Sequence, residues 1–142
     1  MLGVLLVVVA ITATSCGGDD AERPPPTTTT KSEQRSGVVL LLDRDTARPG
    51  QTLELTVDNR TPARLEYGLA YRLERRAGDG WRWINRDAAF ALILKIVGPG
   101  GREREEIRLP DDLRRGRYRI VKSFTVATSR RELRADVEFF VP

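Results

Sequence analysis

The chain reads as an all-β protein whose folded part is an antiparallel β-sandwich. Three observations predict this. Apolar residues recur with a period of two, clusters of turn-forming residues separate the periodic runs, and the stretch from Gly37 to Pro142 has the size of one domain with a modest core. Leu53, Leu55 and Val57 alternate with Thr52, Glu54 and Thr56. The same beat returns in Tyr67, Leu69, Tyr71 and Leu73 against Gly68, Ala70, Arg72 and Glu74. Near the end it sets Leu133, Ala135, Val137, Phe139 and Val141 against Glu132, Arg134, Asp136 and Glu138. Successive side chains of a strand point to opposite faces, so each run offers one face to a core. Ala88 to Val97 is an almost unbroken apolar run and is read as a doubly buried strand, with a short helix as the alternative. Turns are expected at Arg48-Pro49-Gly50, Asp58 to Pro62, Ala77-Gly78-Asp79-Gly80, Gly98 to Gly101 and Leu109 to Asp112.

In Leu113 to Ile120, Gly116 stands two residues before Tyr118, which opens an alternating strand. This resembles the tyrosine corner of immunoglobulin-like sandwiches, in which the phenol ties back to backbone upstream, so Tyr118 has an implied structural role. The order of further motifs extends the likeness: Ala47 to Gln51, Leu55 to Asn59, Tyr67-Gly68 with Tyr71 to Glu74, Gly80-Trp81, and Gly116 to Lys122. Over residues 38 to 128 the chain resembles a bacterial immunoglobulin-like domain family found in exported proteins and lipoproteins. The resemblance implies a sandwich of seven or so strands and no activity or catalytic position.

The N-terminus points to export. An apolar run from Leu2 to Ile11 gives way to Thr12-Ala13-Thr14-Ser15-Cys16-Gly17-Gly18, and Cys16 is the only cysteine. The run suits a signal peptide and is well short of the roughly 20 residues that span a bilayer. The arrangement resembles a bacterial lipoprotein signal, which implies removal of residues 1–15 and lipidation of Cys16. Ordinary cleavage, leaving a secreted protein with a free thiol, is the alternative. From 16 to 36 the chain holds Pro24-Pro25-Pro26, four threonines and charged residues but no large apolar side chain, so a disordered tether is expected between the anchor and the domain at 37–142.

Chemistry is sparse. The absence of histidine removes Ser–His and Cys–His nucleophile systems and the commonest transition-metal ligand. No cofactor or metal is expected. The adjacent pairs Asp19-Asp20, Glu105-Glu106 and Asp111-Asp112 are read as solvated surface, because neighbours on a strand face opposite ways. Asn59-Arg60-Thr61 matches a glycosylation acceptor only formally.

Charge is the remaining lead. From Gly37 onward 21 Lys and Arg face 16 Asp and Glu, a net +5, whereas three face four before it. Arg115, Arg117 and Arg119 fall on one face of a strand and form a candidate contact for a polyanion or partner, unless Glu132, Asp136 and Glu138 neutralise them from a paired last strand. Trp81 is read as core, and Trp83 as a candidate interface aromatic. Nucleic acid is not an expected partner, since the chain is exported and its aromatics are not expected to interleave with the arginine ladder.

The leading reading is a non-catalytic module, lipid-anchored on the extracytoplasmic side of the cell membrane, that presents a surface to another envelope protein. An electrostatic binder of anionic envelope polymer is the alternative. A small hydrolase using a carboxylate pair is the third.

Overall fold

A computed structural model describes residues 37–142; the signal segment, Cys16 and the tether lie outside the described residues. Among the described residues nine strands build two antiparallel sheets. The first sheet has the order β1-β2-β7, from Val38–Leu42, Thr52–Asn59 and Arg102–Arg108. The second centres on the longest strand, β8 (Gly116–Val126). One edge of β8 pairs along its length with β9 (Glu132–Val141). The other is shared by β3 (Leu65–Gly68) and β4 (Arg72–Ala77), with β6 (Leu94–Val97) beyond β3 and β5 (Gly80–Trp83) beyond β4.

β3 and β4 are one strand interrupted. Leu65 opposes Val126 and Arg72 opposes Val121, so seven steps along one chain match five along the other. The two extra residues are absorbed at Leu69–Tyr71. An even offset keeps the alternation intact, and Leu65, Tyr67 and Leu73 all face inward. After β1 the chain crosses from the first sheet to the free edge of β9. There the Ala47 amide donates to Phe140 O at 2.9 Å and the Phe140 amide to Asp45 O at 2.8 Å. That crossing covers the end of the β9 edge around Phe140, where it would otherwise stand open to other strands.

Between the sheets Leu53, Leu55, Val57 and Ile107 meet Leu65, Leu73, Ile120, Phe124 and Phe139, all buried. Tyr118 stacks on Phe139 with ring centroids 5.6 Å apart, and its hydroxyl donates to Arg114 O at 2.5 Å, four residues upstream. Gly116 enters this corner at φ 151°, where a Cβ would lie 3.3 Å from Arg75 Nε. Tyr118→Phe keeps the stack and removes only the bond across the corner. Its expected cost is about 1–2 kcal/mol in chemical denaturation, and an unchanged midpoint would remove the corner's role.

Two expectations need correction. Ala88–Val97 is neither a doubly buried strand nor a helix: only Leu94–Val97 pairs, at the edge of the second sheet, and residues 88–93 are irregular. Leu92 is 105 %, Leu94 65 % and Ile93 51 % exposed. Apolar content predicted burial on both faces, but in this edge strand only Lys95 and Val97 turn toward the first sheet, Val97 into the core and Lys95 to Arg104 O, while Leu94 and Ile96 face outward. Glu105 is not solvated surface; its side chain is 7 % exposed and bonds Lys122 inside the sandwich. Its neighbour Glu106 faces solvent, as alternation requires.

Asn59 explains its own motif. Its Nδ2 donates to Ala63 O and Gly98 O, both at 2.8 Å, and its Oδ1 accepts from the Thr61 amide and hydroxyl. The side chain fastens the turn after β2 to the hairpin before β7 and has no N–H left for a glycan.

Candidate functional site

The outer face of the second sheet is where the chain concentrates unusual chemistry. Its layout follows from one turn. Gly78, at φ 58°, lets β4 reverse into β5 with Ala77 opposite Gly80, which fixes Arg76 against Trp81 and Glu74 against Trp83. Leu73 points into the core, so Glu74 and both tryptophans point out. Trp81 is therefore not a core residue. The buried tryptophan usual in immunoglobulin-like sandwiches is not this one, because β5 is an edge strand with its aromatic side on the outer face.

Glu74 lies at the centre of this face and is buried, with its carboxylate at 2.7 Å from Arg72 Nη2 and 2.6 Å from Arg119 Nε. The tryptophans flank it. The Arg119 guanidinium sits 4.6 Å from the Trp81 ring centroid and that of Arg76 5.4 Å. Arg72 lies 4.7 Å and Arg86 5.6 Å from Trp83. Aromatic and arginine side chains thus interleave, contrary to the expectation from sequence, and they do so across strands rather than along one. Trp83 is held in turn by Asn85, whose Oδ1 accepts from the indole N–H and from the Leu73 amide, both at 2.7 Å.

Beside Trp83 the face hollows into a cleft of about 440 Å³. Gly68, Ala70 and Val121 form its floor, with Trp83 and Phe90 as walls and Arg72 and Arg86 at the rim. Phe90 is fixed by an edge-on contact with Tyr71, at 5.1 Å between centroids. Burial raises the Tyr71 phenol above its ordinary value, so it stays neutral through the physiological range. Leu94 opposes Gly68 in register, so the exposed aliphatic margin of β6 adjoins the cleft.

The three arginines expected to form a ladder are dispersed. Arg119 is committed to Glu74 and Trp81. Arg117 meets Glu138 of β9 at 3.5 Å in an exposed pair, while Arg115 precedes β8 and lies 6.0 Å from the Phe140 ring centroid. Trp83 and Arg119 share one face; Arg115 is not part of that cluster.

The interior holds a second ionic site that sequence reasoning overlooked. Lys122 is wholly enclosed in the core row between Ile120 and Phe124, with its Nζ 2.5 Å from Glu105 Oε1 and 5.3 Å from the Tyr67 ring centroid. Burial pulls the Lys122 ammonium below its usual value, against the hydrogen bond it donates to Glu105, which favours the charge. Burial, with Glu105 and Glu103 nearby, pushes the Tyr67 phenol above its usual range. The row 118, 120, 122, 124 was itself the signal, since alternation places Lys122 inside.

Near the end of β2, the central strand of the first sheet, burial would raise the Asp58 carboxyl, but hydrogen bonds from Arg102 and Arg60 outweigh it and hold it below the ordinary aspartate value. The carboxylate pairs do not converge: Glu105 and Glu106 point apart, and Asp111 pairs with Arg108 at the surface. Among the described residues no three His, Cys, Asp or Glu gather as metal ligands.

The family model of the bacterial Ig-like domain matches residues 34–138. No curated protein matches the chain. Among solved structures, the sporulation control protein Spo0M from Bacillus subtilis is similar at 15 % identity with a TM-score of 0.49, over 74 % of this chain and 48 % of that one. The chain therefore spans about half the length of that protein.

Proposed function

The chain belongs to the bacterial Ig-like domain family, and from that premise we propose that it is a non-catalytic, lipid-anchored module that binds another protein at the extracytoplasmic side of the cell envelope. Cys16 is the anchor, residues 16–36 the tether, and the outer face of β5, β4 and β8 the contact surface. One observation carries this reading: Trp81 and Trp83 stand on an outer sheet face with arginines stacked against them and a cleft alongside. Trp and Arg are the side chains most enriched at the energetic centres of protein interfaces.

Two measurements test it. The intact mass of the mature protein from a lipoprotein-processing host should show a diacylglycerol-sized addition on Cys16 that Cys16→Ser abolishes. A photo-crosslinker replacing Ser123, exposed on the outer face, should capture a specific protein in intact cells, while one replacing Arg104 on the first sheet should not. Capture of no protein from either position overturns the reading.

The alternative, an electrostatic binder of anionic envelope polymer, draws on the same face, where Arg72, Arg76, Arg86 and Arg119 outnumber Glu74. It requires that Arg76→Glu with Arg86→Glu abolish retention on isolated cell walls at low salt.

A further inference from the structure

Resting on the protein-partner reading above, we infer that the outer-face cleft takes an acidic peptide segment anchored by one large apolar side chain. The cleft sets the anchor. Its volume of about 440 Å³ suits a single aromatic or long aliphatic group, and its floor of Gly68, Ala70 and Val121 and walls of Trp83 and Phe90 offer apolar contact. The rim sets the charge. Arg86 is exposed and meets no carboxylate among the described residues, and Arg72 keeps 43 % of its side chain in solvent while touching Glu74. Glu74 is the only acid between the tryptophans and is consumed beneath them by Arg72 and Arg119. On the β9 side Glu132 is engaged by Ser123 and Arg134, and Asp136 stands exposed across Val121 from Arg72, so a partner carboxylate is directed to the Arg72 and Arg86 side of the cleft. The margin extends the contact, since Leu94 and Ile96, 65 % and 47 % exposed, continue the apolar surface past Gly68. An aliphatic flank on the peptide is accommodated there. A wall polymer of repeating phosphates has no side chain to occupy the cleft, which is why the geometry favours a peptide.

The protein's only two tryptophans both lie on this face, so intrinsic fluorescence reports it selectively. The mature protein is titrated with a capped heptapeptide carrying phenylalanine between two runs of three glutamates, and with versions in which alanine replaces phenylalanine or lysines replace glutamates. Polyphosphate serves as the non-peptide polyanion. Saturable Trp quenching by the glutamate–phenylalanine peptide, confirmed by calorimetry, is the expected result, with affinity lower by on the order of tenfold for the alanine or lysine version. Gly68→Val is the blocking variant. Its backbone is extended, and a Cβ there would meet no atom nearer than 3.8 Å, so the side chain grows into the cleft without disturbing the fold. It should abolish the response at an unchanged melting temperature, and Arg86→Glu should weaken it by on the order of tenfold.

No quenching by the acidic peptide overturns the inference, as does equal binding of the alanine version or of polyphosphate, which would make the face a general polyanion binder. These failures are distinct from failure of the protein-partner reading. A neighbour captured at Ser123 beside inert peptides would leave that reading standing and remove only the chemistry assigned to the cleft.

Discussion

Lys122→Met should destabilise the domain by about 3–5 kcal/mol, the largest single effect expected among its charged residues. The side chain is wholly enclosed and its ammonium is the partner of Glu105, itself almost buried. Removing the cation strands a carboxylate in the core opposite Leu55, its cross-strand neighbour on β2. The pair is not thereby a net source of stability. Desolvating two charges costs roughly what their attraction returns, so the double variant Lys122→Met with Glu105→Leu should recover to within about 1–2 kcal/mol of the native protein or exceed it. Denaturant melts of the two singles and the double decide the matter. A Lys122→Met variant within about 1 kcal/mol of native would show that the carboxylate finds other partners.

The alkaline limb carries an independent signature of the same site. The folded pKa of Lys122 lies below its unfolded value, so between the two the unfolded chain holds a proton that the folded chain has lost, and stability rises with pH. Tyr67 acts oppositely. Its folded pKa is raised, so above about pH 10 the folded chain retains a proton that the unfolded chain releases, and stability falls. Lys122→Met removes the rising contribution and leaves the fall, so its stability should decline at high pH where the native protein's is buffered.

How much of this was legible depended on whether a residue's setting was local. Period-two alternation located the cores of β2, β8 and β9, and the Gly116–Tyr118 spacing located a corner bond that is local in sequence. Burial of Ala88–Val97 and Trp81 was misjudged, because which residues pair, and which face of an edge strand turns to the core, are set by register with the neighbouring strand, a tertiary property absent from any short window. Trp81 and Trp83 were nonetheless within reach of a longer argument. The Gly78-Asp79 turn sets their register against Arg76 and Glu74, and Leu73 facing inward sends Glu74, and with it both tryptophans, outward. Arg119 could not be placed on Glu74 by the same means, since the pairing of β4 with β8 brings together residues 45 apart in the chain. A ladder read along one strand was thus resolved into a cluster assembled from three.

That cluster yields the second large effect. Glu74→Ala should cost about 2–3 kcal/mol, less than the loss from a fully enclosed pair because Arg72 remains 43 % exposed and can rehydrate. The change does more than delete two hydrogen bonds. Arg72 and Arg119 are held on opposite sides of one carboxylate, and without it two guanidinium groups face each other across a site only partly open to water. Their separation takes Arg119 from Trp81 and Arg72 from Trp83, so both indoles should become more solvated and tryptophan emission should shift to the red. Glu74→Gln distinguishes charge from hydrogen bonding: it keeps an acceptor but no anion, and should retain the indole environment only if acceptance, rather than charge, orders the arginines. Unaltered emission and stability in Glu74→Ala would mean that the tryptophans are fixed by Asn85 and the β4–β5 hairpin alone. The peptide cleft would then be independent of the ionic cluster beside it.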